Sequence, residues 1–249
     1  MLADIHGKIS ESGSNLTDRL EDYLTGTFFG TLRYISFHKG LGALLSRTMK
    51  PIEMRATITK LTYDYWARYV EFWPYHQEGE FDVVIDFPEL LIGIEVKYLS
   101  GLSSNDEEDF VMPEDSKNQL SREARILQSR SNKPKLLLFI APQGSCQSIY
   151  KASLPKMPKD VAFAYITWED LYESLKFIQS DNIYEQVMVA DLQAFLKKRG
   201  FERFKSMEVE SETITNEHYQ FNSKKIELFS FQTTIEVKED YYVFRNEYN

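Results

Sequence analysis

Two apolar runs set back to back, EFDVVIDF (residues 80–87) and LLIGIEVKY (residues 90–98), constrain this chain more than any other feature. Both are rich in β-branched and aromatic residues, and only Pro88 and Glu89 separate them. They read as an antiparallel hairpin. A turn centred on those two residues sets Asp82 opposite Glu95, and directly opposed residues share a face with Cβ atoms about 5 Å apart. Lys97, two residues beyond Glu95, points to the same face. Ionised groups in so apolar a setting are costly unless they pair or bind a metal.

Two carboxylates that close repel, and one takes up a proton unless a cation lies between them. A hard divalent cation with oxygen ligands, Mg2+ or Mn2+, meets that need, with the Val96 carbonyl as a third ligand. Lys97 is then placed to hold a metal-bound water or help deprotonate it. A metal, a positioned water and a cationic group suit in-line attack on a phosphodiester. The simpler reading of Glu95 and Lys97 is an ion pair at a strand end. Glu80 and Asp86 share the strand parity of Asp82, and a one-residue slip of the hairpin would turn Asp82 to the other face.

The rest of the chain alternates helix and strand. Leu16, Leu20, Leu24, Phe28 and Leu32 mark an amphipathic helix from about Asn15 to His38. GALLSRTM predicts a second helix, ended by Pro51. Ala67 to His76 reads as extended, an edge strand because it contains Pro74. After the hairpin comes a polar, acidic loop over residues 103–116, then a helix in SKNQLSREARILQS. PKLLLFIAP and VAFAYITW are buried strands, WEDLYESLKFI is a helix, and a last long helix runs to Gly200. The alternation in KKIELFSFQTTIEVK predicts extra β-structure in the tail. The fold class is therefore α/β, a mixed sheet flanked by helices. Residues 1–204 form the principal domain and residues 205–249 a β-rich extension packed on it.

Asp82 followed by Glu95-Val96-Lys97 resembles the signature of the PD-(D/E)XK nuclease superfamily. GEFDVVI, EVKYLSGLSS and NQLSRE are similar to a bacterial branch of uncharacterised or defence-linked members. The resemblance spans roughly Asn15 to Phe204. It implies a restriction-endonuclease-like core and Mg2+-dependent endonuclease activity on DNA. It also implies supporting roles for Glu21, on the helix before the sheet, and Gln119, on the helix after the motif. Phe81 stands where the superfamily places a proline.

Partners are less sharply drawn. Arg122 and Arg125 after the motif, with Lys39 and Arg47 near the second helix, are candidates for a phosphate track. For any one of them, scattered solubilising charge is the plainer reading. The net charge of −9 argues against binding nucleic acid through the overall field. Two alternatives therefore stand beside a DNA nuclease: a non-catalytic binding or assembly module, and a nuclease acting on RNA or branched DNA. Double-strand cleavage calls for two active sites, which makes a homodimer a candidate assembly. The single Cys146 excludes an intrachain disulfide. No apolar run approaches the roughly 20 residues of a membrane helix. MLADIHGKIS lacks the apolar core of a secretory leader, so a cytoplasmic location is the expectation.

Overall fold

A computed structural model describes residues 2–6, 16–107 and 112–203. The predicted β-rich extension over residues 205–249 lies outside the described residues. In chain order the helices are α1 (Leu2–Ile5), α2 (Leu16–Leu32), α3 (Leu41–Thr48), α4 (Arg55–Ile58), α5 (Gln119–Arg130), α6 (Gln143–Ser153), α7 (Trp168–Leu175) and α8 (Ile183–Lys198). The strands are β1 (Val70–Phe72), β2 (Tyr75–His76), β3 (Gly79–Glu80), β4 (Val83–Asp86), β5 (Leu91–Val96), β6 (Lys135–Ala141) and β7 (Val161–Thr167).

Five strands form one mixed sheet in the order β1-β4-β5-β6-β7. β5 is the strand at which the sheet changes sense. It pairs antiparallel with β4 on one side and parallel with β6 on the other. The hairpin has the predicted register: Val83 faces Ile94 and Asp86 faces Leu91. One further step along that ladder sets Asp82 opposite Glu95.

Alternation along β5 sorts its side chains between two layers. Ile92, Ile94 and Val96 join the core built with Leu24, Phe28, Leu44 and Trp168, on the side of α2, α3 and α7. Leu91 lies on the opposite face with Leu120, Ala124 and Leu127 of α5 and Cys146 of α6. Glu95 has the parity of Leu91 and so faces α5. Gly93 on this face is a packing requirement. A Cβ there would meet the Phe81 ring at 2.6 Å and Leu127 Cδ2 at 3.0 Å.

Local chemistry explains the helix starts near the site. The Asn118 side chain accepts from Ser121 N and caps α5, and Thr167 accepts from Asp170 N and caps α7. Of the predicted apolar stripe on α2, Leu24, Phe28 and Leu32 are fully buried. One expectation needs correction. Ala67 to His76 is not one strand: Ala67–Tyr69 is a 3-10 turn, and the ribbon breaks at Trp73, whose φ is 50°. Pro74 follows, without the N–H that would continue the ladder. Between β6 and β7, a stretch to which the sequence reading assigned no element, α6 fills the connection. Among the described residues no helix is long and apolar enough to cross a membrane.

Candidate active site

The break in the ribbon positions the first site residue. Trp73 N donates to Asp82 O at 3.0 Å, so Asp82 sits opposite the kink, just before β4 begins. Its Oδ2 reaches across the hairpin and accepts from Val96 N at 2.8 Å. Val96, expected to lend its carbonyl to a metal, ends β5 with its N–H held in this way. Lys97 continues the ladder by donating its backbone N–H to Ile140 O at 2.7 Å.

Four elements converge at this end of β5. The Lys97 ammonium lies 2.7 Å from Glu95 Oε1 and 3.1 Å from Glu21 Oε1. The other Glu21 oxygen accepts from Tyr98 N at 2.9 Å and Ser100 Oγ at 2.6 Å. Glu21 therefore grips residues 97–100 from α2 with both oxygens. From the opposite layer, Gln119 Nε2 donates to Glu95 Oε1 at 2.5 Å and to Glu123 Oε1 at 3.0 Å. The orientation of that amide is fixed because its Oε1 accepts from Ser103 N at 2.8 Å. The five residues named from the sequence, Glu21, Asp82, Glu95, Lys97 and Gln119, are thus brought together and buried. Glu123 was not anticipated. Its spacing of four from Gln119 in NQLSRE, which puts both on one helix face, was the available signal.

The electrostatics are unbalanced. Among the described residues, four carboxyl groups, of Glu21, Asp82, Glu95 and Glu123, share one ammonium. Burial holds the Asp82 carboxyl well above its ordinary range, and the nearby Glu95 adds to this against the pull of Lys97. Burial and then Glu123 do the same to Glu95. Burial likewise pushes Glu123 up to about 8. For Lys97 burial acts downward, but Glu95, Glu21 and Asp82 outweigh it and hold the amine above the usual lysine value. The Lys97 amine is thus held in its charged form in this arrangement, which suits holding a water or a phosphate oxygen.

Among the described residues, no three His, Cys, Asp or Glu side chains already converge in a geometry ready for a metal ion. The reason is visible in the cluster. The Lys97 ammonium is interposed between Glu95 and Glu21, and the Gln119 amide between Glu95 and Glu123. The donor chemistry nevertheless suits a hard divalent cation: an excess of buried carboxyl groups, and one buried oxygen, Glu123 Oε2, that no donor among the described residues reaches.

The loop from Lys97 to Gln119 is braced at its base. Asp106 accepts from Ser116 Oγ at 2.7 Å and Lys117 N at 2.6 Å, and pairs with Lys156 at 3.0 Å. Burial opposes these contacts, yet they hold the Asp106 carboxyl down at about 2. Ser104 O accepts from Gln119 N at 3.1 Å, which ties the brace to the start of α5.

The expected phosphate track is spent largely within the protein. Arg122 donates to Glu78 O and, at 3.1 Å, to Ser104 Oγ. Arg125 pairs with the Glu78 carboxylate at 3.1 Å and donates to Pro113 O and Ser116 O. Arg47 is exposed on α3 and lies 4.4 Å from the centroid of the Phe177 ring. Lys39 is exposed in the turn before α3. Neither of these two is brought to the carboxylate cluster by the contacts it makes. A cavity of about 580 Å³, bordered by Tyr150, Met157, Lys159 and Phe163, lies at the N-terminal ends of β6 and β7, the wrong end of the parallel strands for the usual placement of a ligand.

Comparison of the chain with protein-family models, with curated proteins and with solved structures finds no match. The functional reading therefore rests on the geometry of the site.

Proposed function

We propose that this chain is a metal-dependent nuclease that hydrolyses phosphodiester bonds in DNA, on a restriction-endonuclease-like core. The observation that carries the proposal is the buried cluster at the end of β5, where Asp82, Glu95 and Lys97 meet Glu21 from α2 and Gln119 from α5. Asp82 and Glu95, with the Val96 carbonyl, are the residues that would hold Mg2+ or Mn2+. The bound ion would polarise the phosphate and neutralise charge that develops on it. Lys97, cationic and held by two carboxylates, positions the attacking water or the phosphate oxygen beside it. Glu21 fixes Lys97 and the turn after it. Gln119 orients the Glu95 carboxylate through an amide that Ser103 holds in one orientation.

A second reading, a binding or assembly module with an idle site, is favoured by the internal use of the basic residues. Arg122 and Arg125 are bonded to acceptors within the protein, as are Arg130 to Glu71 and Lys133 to Asp86. One assay separates the two. Supercoiled plasmid, linear duplex, single-stranded DNA and RNA are incubated with Mg2+ or Mn2+, beside Lys97→Ala and an EDTA control. Metal-dependent cutting that disappears in the variant is expected. Cutting that survives Lys97→Ala would remove the assignment, and the absence of both cutting and Mn2+ binding would favour the module.

A further inference from the structure

We propose that Glu123 is a further metal-holding carboxylate, so that the donor set of the site spans β5 and α5 and closes the cation between sheet and helix. This rests on the nuclease reading above and adds a ligand to it.

Glu123 is only 2% exposed, on a helix face otherwise made of Gln119, Leu120, Ala124 and Leu127. A carboxylate there has lost its water and needs a partner for each oxygen. One oxygen has such a partner: Oε1 accepts from Gln119 Nε2 at 3.0 Å. Oε2 has none. The Lys97 ammonium is taken up by Glu95 and Glu21. A proton shared with the neighbouring Glu95 carboxyl can join those two groups, but it brings nothing to Asp82 on the facing strand.

Position supplies the rest. The nitrogen that donates to Glu123 Oε1 also donates to Glu95 Oε1, at 2.5 Å. The two carboxylates therefore converge on one amide group and are neighbours through it. Glu95 faces Asp82 across the hairpin. Glu123, Glu95 and Asp82 are thus linked in a row of buried carboxyl groups from helix to sheet, each of which burial makes costly to ionise without a cation. A hard divalent cation prefers several oxygen ligands and satisfies such a row where a single proton does not. Gln119 is then a spacer that links two ligand carboxylates, and Glu123 supplies the oxygen.

The test is Mn2+ binding without nucleic acid, followed by the paramagnetic signal of the free ion. Wild type is compared with Glu123→Gln, Glu95→Gln and Glu123→Asp, and folding is checked by circular dichroism and by melting in EDTA. The expected result is at least a tenfold weaker Mn2+ affinity in Glu123→Gln, with the fold retained. Wild-type affinity in a folded Glu123→Gln, while Glu95→Gln loses binding, would overturn the proposal and leave the nuclease reading standing. If Glu123→Gln does not fold, Glu123→Asp carries the comparison, because it keeps the charge but withdraws the oxygen from the row. Unchanged affinity in Glu123→Asp would then overturn the proposal. A wild-type protein that binds no Mn2+ would overturn it as well. Loss of the nuclease reading is recognised separately, by metal-dependent cutting that is absent in wild type or indifferent to Lys97→Ala.

Discussion

Replacing Lys97 by methionine removes the ammonium 2.7 Å from Glu95 and 3.1 Å from Glu21 and keeps most of the side-chain volume. Taking one partner from a buried ion pair costs about 3–5 kcal/mol, because the remaining charge stays in the interior. In a chain of this size each kcal/mol moves the melting temperature by about 2–4 °C, so a fall of roughly 6–20 °C is expected at pH 8 in EDTA. The loss should shrink toward pH 5. Asp82, Glu95 and Glu123 already have carboxyl groups held above their ordinary range, and without Lys97 they protonate more readily still. A neutral carboxyl no longer needs the ammonium. Melting of wild type and Lys97→Met at pH 5 and pH 8 decides the matter. An equal loss at both values would mean that packing, not charge, is what Lys97 contributes. No loss at either would refute the burial and pairing on which the site rests.

Two further outcomes follow from the same geometry. In EDTA, the Glu123 carboxyl at about 8 against an ordinary 4.5 means that the folded chain binds a proton that the unfolded chain releases. That stabilisation is complete below 4.5 and disappears as pH rises through about 8, with a slope of up to about 1.4 kcal/mol per pH unit. Denaturant titrations should show Glu123→Gln with a flatter profile than wild type across that window, and parallel profiles would refute the assignment. Gly93→Ala should cost about 1–3 kcal/mol by overpacking, since its Cβ would meet the Phe81 ring at 2.6 Å. It should also weaken Mn2+ binding, because Glu95 lies two residues on; a variant with wild-type stability would show that Phe81 can move aside.

The hairpin was legible because its information is local. Two apolar runs flank Pro88 and Glu89, and the turn alone fixes which residues oppose each other, so the Val83–Ile94 register followed from the sequence. The parity of Glu95 and Lys97 followed equally. Glu21 and Gln119 were reached through resemblance, since nothing local ties Glu21 to a strand 76 residues away. Glu123 was missed because an acidic residue in a charged helix reads as solvated; its burial where α5 packs on the sheet is a tertiary fact. The destinations of Arg122 and Arg125 were illegible for a similar reason, as their acceptor residue, Glu78, lies 44 and 47 residues distant. α6 escaped notice because QGSCQSIYKAS carries few apolar residues, and only Cys146, Tyr150 and Ser153 are buried. The break at Trp73 depends on a left-handed backbone that a tryptophan does not advertise.

The spacing of the cluster along the chain sets an order of assembly. The Asp82–Val96 contact closes 14 residues, the Gln119–Glu95 contact 24, and the Lys97–Glu21 contact 76. Loop-closure entropy rises by about 0.6 kcal/mol for each doubling of length, so the hairpin closes at the least entropic cost and the α2 contact at the greatest. The hairpin brings its own ammonium beside its own carboxylate, which keeps the early structure from being a bare pair of repelling acids. Glu21 is the opposite case. In a chain emerging from the ribosome it waits, without its partners, until residues 97–100 have been made. Its two oxygens then join three groups at once, and the docking of α2 is the event that locks the charged end of β5 in place.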